Sequence, residues 1–358
     1  MMWSRPVPVT ARRLAGPAGF VAAAGLTLAV AALLSLSLGP TGVTLASLPR
    51  VVATALTGAA DLEPAREHLI LLDIRLPRLL LGAFVGAALA VAGAMMQGMF
   101  RNALADPGLI GVSAGAALAA VAAIALGNGL ALNWTRTFGV YALPIAAFGG
   151  GLATTAMLVA LVRRHGQMPV ATLLLAGIAL AALASALTGL IAFASDDGEL
   201  RDLTLWMLGS LAGASWPKVL AILPFATVLV LILPRLVRGL NGLLLGEAEA
   251  FHLGIDVERT KLAIVLATAA ATGAAVAVSG VVGFVGIVVP HFVRLLAGPD
   301  HNVVLPASAL LGAALVLVAD VLARMLVSPA ELPLGVVMAI LGAPIFLHMV
   351  VRRGVGAG

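Results

Sequence analysis

Long apolar segments, separated by charged residues, prolines or glycines, run along almost the whole chain. A helix needs about 20 mostly apolar residues to cross the hydrocarbon core of a bilayer, and about ten segments approach that length. The predicted crossings are 15–38, 76–99, 108–127, 140–162, 171–194, 217–237, 261–279, 281–296, 303–323 and 335–351. The pattern therefore predicts an all-α polytopic membrane protein with a single transmembrane domain over residues 1–358.

Basic residues give this bundle an orientation. Arginine pairs at 12–13, 163–164 and 352–353 all fall on one side of a ten-span topology. Cytoplasmic loops carry an excess of Lys and Arg, so we expect that side to be the cytoplasm and both termini to lie there. The apolar run from Leu14 to Leu38 is longer than the roughly 7–15 residues of a signal peptide's apolar region. We therefore expect this run to be a retained first helix.

Composition supports the membrane interpretation and removes several other classes of protein. Hydrophobic residues make up 61% of the chain, charged residues 10%, and the mean hydropathy is +1.12. Soluble domains carry roughly 25% charged residues, so a soluble fold is excluded. The sequence has no cysteine, which excludes disulfides and thiolate metal sites. The high pI of 10.9 reflects scattered single and paired cations, so we expect no nucleic-acid partner.

Motifs for catalysis are missing from the sequence. The only lysines, Lys218 and Lys261, follow proline and threonine, so there is no Walker A glycine–lysine pair. No HExxH zinc motif occurs, and the single GxSxG match, GVSAG at 111–115, lies inside a predicted apolar span rather than at a strand-to-helix turn. We therefore expect no catalytic residue, no metal site and no cofactor bound by this chain. ATP-driven work would need a separate ATPase.

Few polar side chains lie inside the predicted spans. Asp320 and Arg324 are four residues apart near the outer end of the ninth span, so they can pair on one helix face. Gln97, His291 and His348 lie near cytoplasmic ends, where we expect interfacial residues rather than metal ligands. The spans contain no series of acids of the kind that carries protons through a transporter. This disfavours an ion-coupled secondary transporter, which remains the alternative from another class.

The loop at about 238–260 is the one substantial cytoplasmic loop, and it is unusually apolar. Leucines precede a Gly246–Glu247 pair, and Phe251 and Leu253 follow it. An exposed apolar surface of this kind indicates a protein partner, although the loop could instead lie on the bilayer surface.

Seven strings, in order from about residue 70 to the end, resemble the FecCD-type permeases. These are the membrane subunits of type II ABC importers for cobalamin, ferric siderophores and haem. The strings are RLPR at 75–78, GAMMQGMFRNALADPGLIGVSAGA at 93–116, LLLAGIAL at 173–180, LWMLGSLAGASW at 205–216, LGEAEAFHLGI at 245–255, GFVGIVVPHFVRLLAGPDH at 283–301 and ELPLGVVMAILGAPIFL at 331–347. Each string alone is a weak indication of the family, but seven strings in the same order are a specific one.

The resemblance implies an assembly and a set of site residues. Such permeases are homodimers in the bacterial inner membrane, with two cytoplasmic ATPase subunits that bind ATP and Mg²⁺ and a periplasmic substrate-binding protein. The resemblance implies that Arg75 and Arg324 meet acids on the binding protein. It also makes the 238–260 loop the ATPase-coupling loop. The implied coupling residues are Leu244, Gly246, Glu247, Ala250 and Gly254.

The family's cytoplasmic gate lies where the fifth span begins, here at Val170 and Ala171. Cobalamin permeases carry small polar residues at these positions, so the apolar pair is a departure from that pattern. The 205–216 string is most similar to haem permeases, and haem is therefore the substrate expected. Cobalamin and ferric siderophores are the alternatives within the family.

Overall fold

The computed structural model describes residues 16–39, 66–127, 132–163 and 166–355. The helices are α1 (Pro17–Ser37), α2 (Leu76–Phe100), α3 (Val112–Ala125), α4 (Leu132–Phe138), α5 (Ala142–Val162), α6 (Val170–Ala194), α7 (Asp197–Met207), α8 (Trp216–Leu245), α9 (Glu247–His252), α10 (Val257–Ser279), α11 (Val285–Ala297), α12 (His301–Met325) and α13 (Leu334–Val355). A π-helical segment (Leu69–Arg75) leads directly into α2, and 3-10 turns (Pro107–Ile110 and Gly139–Tyr141) precede α3 and α5.

Every predicted crossing coincides with one of these helices. Among the described residues, eight helices are long and apolar enough to span a membrane, and the apolar helices α3 and α11 are shorter. These two correspond to the predicted spans 108–127 and 281–296. The prediction of an all-α polytopic membrane protein is confirmed.

One boundary differs from the sequence prediction. The predicted spans end at residue 38 and resume at residue 76, which leaves residues 40–74 as an external loop, but helix already begins at residue 66 and continues through the π-helical segment into α2. Ile70 and Leu71 are buried in a small apolar cluster, and this packing favours helix over an exposed loop. The rest of that loop, residues 40–65, lies outside the described residues.

Helices α2, α10 and α12 form the centre of the bundle. Of the most apolar window in each helix, 72% is buried in α2 and 78% in α10, against 22% in α6 and in α8. A central helix buries its whole circumference, whereas a peripheral one turns apolar side chains outward. The outward-facing helices α6 and α8 therefore present the surfaces that lipid or a second subunit can cover.

Glycines bring the central helices into backbone contact. A methyl group on Gly86 of α2 would lie 2.7 Å from the carbonyl carbon of Gly312 on α12. Gly93 of α2 faces Gly286 of α11 in the same way. In a membrane, where water drives no association between helices, such close van der Waals packing is a main source of stability.

Candidate functional site

The 238–260 loop forms a short helix between two sharp turns. Helix α8 ends at Leu245, Gly246 has a φ of 129°, and α9 covers Glu247–His252. Gly254 has a φ of 77° and redirects the chain towards α10. Residues other than glycine rarely adopt such backbone angles, so both glycines are needed to place α9 across the ends of α8 and α10.

The residues expected to couple to an ATPase differ in their exposure to solvent. Ala250 and Gly246 are buried and seat α9 on the bundle, Leu244 is half-buried, and Glu247 and Gly254 are exposed. The most exposed apolar side chain of the segment is Phe251 at 70%, which the sequence analysis placed on the apolar surface of the loop but not among the implied coupling residues. Leu245 and Leu253, beside it, are also exposed. The segment therefore presents apolar surface around a backbone that its glycines hold in place.

Lys261 is buried at the start of α10, where it contacts three separate segments. Its Nζ lies 2.6 Å from Glu258 Oε1 and 3.2 Å from Glu247 Oε2. It also donates a hydrogen bond of 2.9 Å to the carbonyl oxygen of Met168. These contacts use the three donors of the ammonium group. We call Lys261, Glu258, Glu247 and Met168 the cytoplasmic cluster.

The cytoplasmic cluster reaches the expected gate. The backbone N–H of Met168 donates to Glu258 Oε2 at 2.7 Å, so both backbone polar groups of Met168 are bound by the first turns of α10. Pro169 is the N-cap of α6, and Val170 and Ala171 open that helix. Val170 is half-buried and Ala171 is exposed. The structure thus brings Glu247, an expected coupling residue, and the expected gate segment to one buried cation.

A second group of charged side chains joins the start of α2 to the end of α12. The Arg78 guanidinium contacts the Asp320 carboxylate at 2.9 Å and the Glu331 carboxylate at 2.8 Å. Arg324 contacts Asp320 at 3.1 Å, which is the pairing expected from their spacing. We call Arg78, Asp320, Arg324 and Glu331 the outer cluster. Arg78 and Asp320 are both buried.

Sequence reasoning missed Arg78. A signal was present, because an arginine and an aspartate inside apolar helices are costly unless they pair with each other. Arg78 lies in the first turn of α2, and Asp320 is the only acid within α12. Pairing these two residues would have placed α2 beside α12 from the sequence alone.

Arg75 and Arg324, the expected docking residues, lie side by side at the end of α1. Arg324 donates to the carbonyl oxygen of Leu38 at 3.1 Å, and Arg75 donates to that of Leu36. The last carbonyl groups of a helix lack intrahelical partners and favour nearby cations. Both arginines are 5% exposed. In this structure they bind the C-terminus of α1.

A polar network joins the cytoplasmic ends of α2, α8, α11 and α12. Arg294 of α11 donates to Gln97 and, at 2.8 Å, to the carbonyl oxygen of Ala94, both on α2. It lies 3.3 Å from His301 Nε2, and His301 Nδ1 lies 2.8 Å from Asn241 Oδ1. Within the described ranges, no three His, Cys, Asp or Glu side chains converge on a possible metal site.

Two helix-capping aspartates differ in their pKa. Asp106 accepts a hydrogen bond of 2.7 Å from the Gly108 N–H, but burial of its carboxyl raises the pKa above the usual value. Asp300 caps α12, and the hydrogen bond from the Asn302 backbone lowers the pKa of Asp300, with a further contribution from Asn241. The carboxylate of Asp300 is therefore favoured at neutral pH.

A cavity of about 750 Å³ opens between α3, α5 and the amphipathic helix α7. Helix α7 begins with a capping box formed by Asp196 and Glu199. Both of these acids line the cavity, as do Arg201 and Asp202. The predicted topology puts α7 on the outer side, so this polar cavity is a candidate entrance for a substrate.

Comparison with known proteins gives consistent matches over most of the chain. The model of the FecCD transport family matches residues 27–352. The hemin transport system permease protein HmuU of Yersinia pestis is 47% identical over 79% of this chain and 84% of its own length. The cobalamin import system permease protein BtuC of Halobacterium salinarum is 43% identical over 82% of this chain and 76% of its own length.

A solved structure shares the fold. An inward-facing conformation of a metal-chelate type ABC transporter superposes with a TM-score of 0.80 and 31% sequence identity. The alignment covers 94% of this chain and 99% of the other. The helix order described above is therefore that of a known transporter architecture.

Proposed function

The chain belongs to the FecCD transport family, and we propose that it is the permease subunit of an ABC importer that moves haem into the cytoplasm. The family match and the resemblance to bacterial permeases make it a multi-pass protein of the bacterial inner membrane. The observation that carries the proposal is the short helix α9, whose exposed apolar and acidic side chains lie next to the start of α6. This arrangement suits a subunit that receives movement from a cytoplasmic partner.

The proposed partners follow from the same assignment. Two copies of the chain would form the pathway, two separate ATPase subunits would bind ATP and Mg²⁺, and a periplasmic binding protein would deliver the substrate. ATP hydrolysis would belong to the ATPase subunits, since this sequence has no phosphate-binding lysine motif. Differential affinity of nucleotide for two conformations of the complex would supply the free energy of transport.

The chemistry of the α9 surface suggests which complementary surface the ATPase presents to it. Phe251 and Leu253 supply apolar contact area, and the rim carries the partly or fully exposed acids Glu247, Glu249 and Glu258. An interface of this kind has an apolar centre and a charged rim that guides association. We therefore propose an apolar cleft with basic edges on the ATPase, and salt should weaken its association with the permease.

We also propose roles for the outer arginines and for the gate residues. Docking of the binding protein through Arg75 and Arg324 would require the end of α1 to move, because both side chains now bind its carbonyl groups. Val170 and Ala171 would meet their copies in the second subunit and close the pathway by excluding water. The apolar character of this pair supports a gate that works by dewetting.

Haem is the preferred substrate because the matched relative at 47% identity is a hemin permease. Cobalamin is the second candidate, since the relative at 43% is a cobalamin permease, and ferric siderophores are the third.

The test is uptake into proteoliposomes that contain the permease, its ATPase and a binding protein for each chelate. We expect ATP-dependent uptake of haem. Uptake driven by an ion gradient without the ATPase would contradict the proposal and favour a secondary transporter.

A further inference from the structure

The cytoplasmic cluster connects two sites that lie far apart in the sequence. Met168 is 93 residues from Lys261 along the chain and 90 from Glu258, yet both of its backbone polar groups are bound by these two side chains. Its own side chain is 2% exposed. The segment in front of α6 is therefore fastened to α10 by charge-assisted hydrogen bonds as well as by packing.

The third contact of Lys261 brings in α9. The Glu247 carboxylate, at the first position of α9, lies 3.2 Å from Lys261 Nζ and is 46% exposed. Lys261 itself is 2% exposed. If α9 or the Met168 segment separated from α10, this buried ammonium would lose an acceptor, and an underpaired buried charge is strongly unfavourable. The arrangement therefore resists relative motion of the three segments.

We propose that Lys261 is a positioning residue that makes α9, the first turns of α10 and the segment before α6 move as one body. Movement of α9 by the ATPases would then reach Val170, two residues after Met168, with no flexible loop between. This inference rests on the proposed function and assigns the link between its coupling loop and its gate. A purely structural lysine would hold the fold without setting the distance between α9 and α6.

The absence of cysteine from the sequence makes a direct distance measurement possible. Spin labels are placed on cysteines at the exposed positions Ala248 of α9 and Thr172 of α6. Mixing labelled chain with excess unlabelled chain isolates the distance within one protomer. The distance is measured by pulsed electron resonance in the nucleotide-free complex and in a complex trapped with ATP.

With Lys261 present, we expect one narrow distance distribution at the same position in both states. In Lys261→Met the distribution should broaden or split, and the amount of chelate moved per ATP should fall at least fivefold. Lys261→Arg should restore part of both readouts, because it keeps the charge and the donors. Arg235→Met, which removes an exposed cation from α8, is the matched control and should leave both readouts unchanged.

A narrow and unchanged distribution in Lys261→Met, or an unchanged ratio of chelate to ATP, would overturn the proposal. If Lys261→Met does not assemble, Glu247→Gln removes only the α9 contact at a partly exposed position and should broaden the same distribution. A wild-type complex that moves no chelate would contradict the proposed function. The distance between the labels would still show whether the cytoplasmic cluster joins α9 to α6.

Discussion

The two charged clusters of this protein differ in what they join and in how water reaches them. The outer cluster places two arginines around Asp320, which is 1% exposed, and links the transmembrane helices α2 and α12. The cytoplasmic cluster uses one lysine and two glutamates whose side chains are 31% and 46% exposed, and it links short connecting segments. Both clusters are built on a buried, multiply paired cation, and such a cation resists separation of the segments it joins. We infer that the outer cluster fixes the bundle and the cytoplasmic cluster transmits movement.

The largest effect should follow from breaking the outer cluster. Asp320→Asn leaves Arg78 and Arg324 without their shared carboxylate in a buried site. Removing one partner of a buried ion pair costs about 3–5 kcal/mol. We expect a clear drop in the Tm of the purified protein in detergent. Asp73→Asn, at an exposed position near the same end, is the control. Equal Tm values for the two variants would show that the outer cluster does not hold the bundle.

Charge reversal at Arg75 tests whether the outer end also recognises a partner. Arg75→Glu should weaken docking of the binding protein by about tenfold, with a dependence on salt, because steering between opposite charges is lost. Arg75→Gln retains a donor for the Leu36 carbonyl and should weaken docking less. Binding measured at two salt concentrations gives both values. Wild-type affinity in both variants would remove Arg75 from the docking site.

A milder change tests the cytoplasmic cluster. Glu258→Gln keeps the shape of the side chain but removes the charge that contacts Lys261 and Met168. We expect a stability loss of about 1–2 kcal/mol, smaller than for Asp320→Asn. The amount of chelate moved per ATP should fall more strongly than the Tm, because ATP hydrolysis continues while transport falls. A variant with normal transport and a strongly lowered Tm would assign this cluster to the scaffold as well.

The smallest effect concerns the cytoplasmic end of α12. The pKa of Asp300 is lowered in the folded protein by hydrogen bonds from the Asn302 backbone and Asn241. Its stabilising contribution is therefore present above the pKa of the unfolded chain, about 3.9, and is lost as pH falls through the folded value. Asp300→Asn should flatten this part of the Tm profile between about pH 5 and 3. An unchanged acid profile would show that this cap does not contribute.

Much of the fold could be predicted from the sequence because each membrane-spanning helix requires a long apolar run. All ten predicted crossings coincide with helices, even the short α3 and α11. The helix from residue 66 to 75 was missed, since Asp73 and Arg75 resemble loop residues until Ile70 and Leu71 are seen to be buried. The amphipathic helix α7 was also missed, because eleven residues with several charges do not resemble a crossing.

The candidate site was less accessible to sequence reasoning. Local pattern identified the 238–260 loop and the pair Asp320–Arg324, since both depend on neighbours in the chain. The contact between Lys261 and Met168 depends on the packing of α10 against the start of α6, and neither residue type indicates such a contact. Phe251 was identified as part of the apolar loop surface, because a large apolar residue in a cytoplasmic loop favours a protein partner.

The measurement that tests the comparison most directly is the number of chelate molecules moved per ATP hydrolysed, in matched proteoliposomes of three proteins. Asp320→Asn should keep the wild-type ratio in the fraction of protein that remains folded, although its Tm is lower. Lys261→Met should lower the ratio at least fivefold while hydrolysis continues. If Asp320→Asn lowered the ratio as much as Lys261→Met, or if Lys261→Met kept the wild-type ratio, the division between a holding cluster and a transmitting cluster would be contradicted.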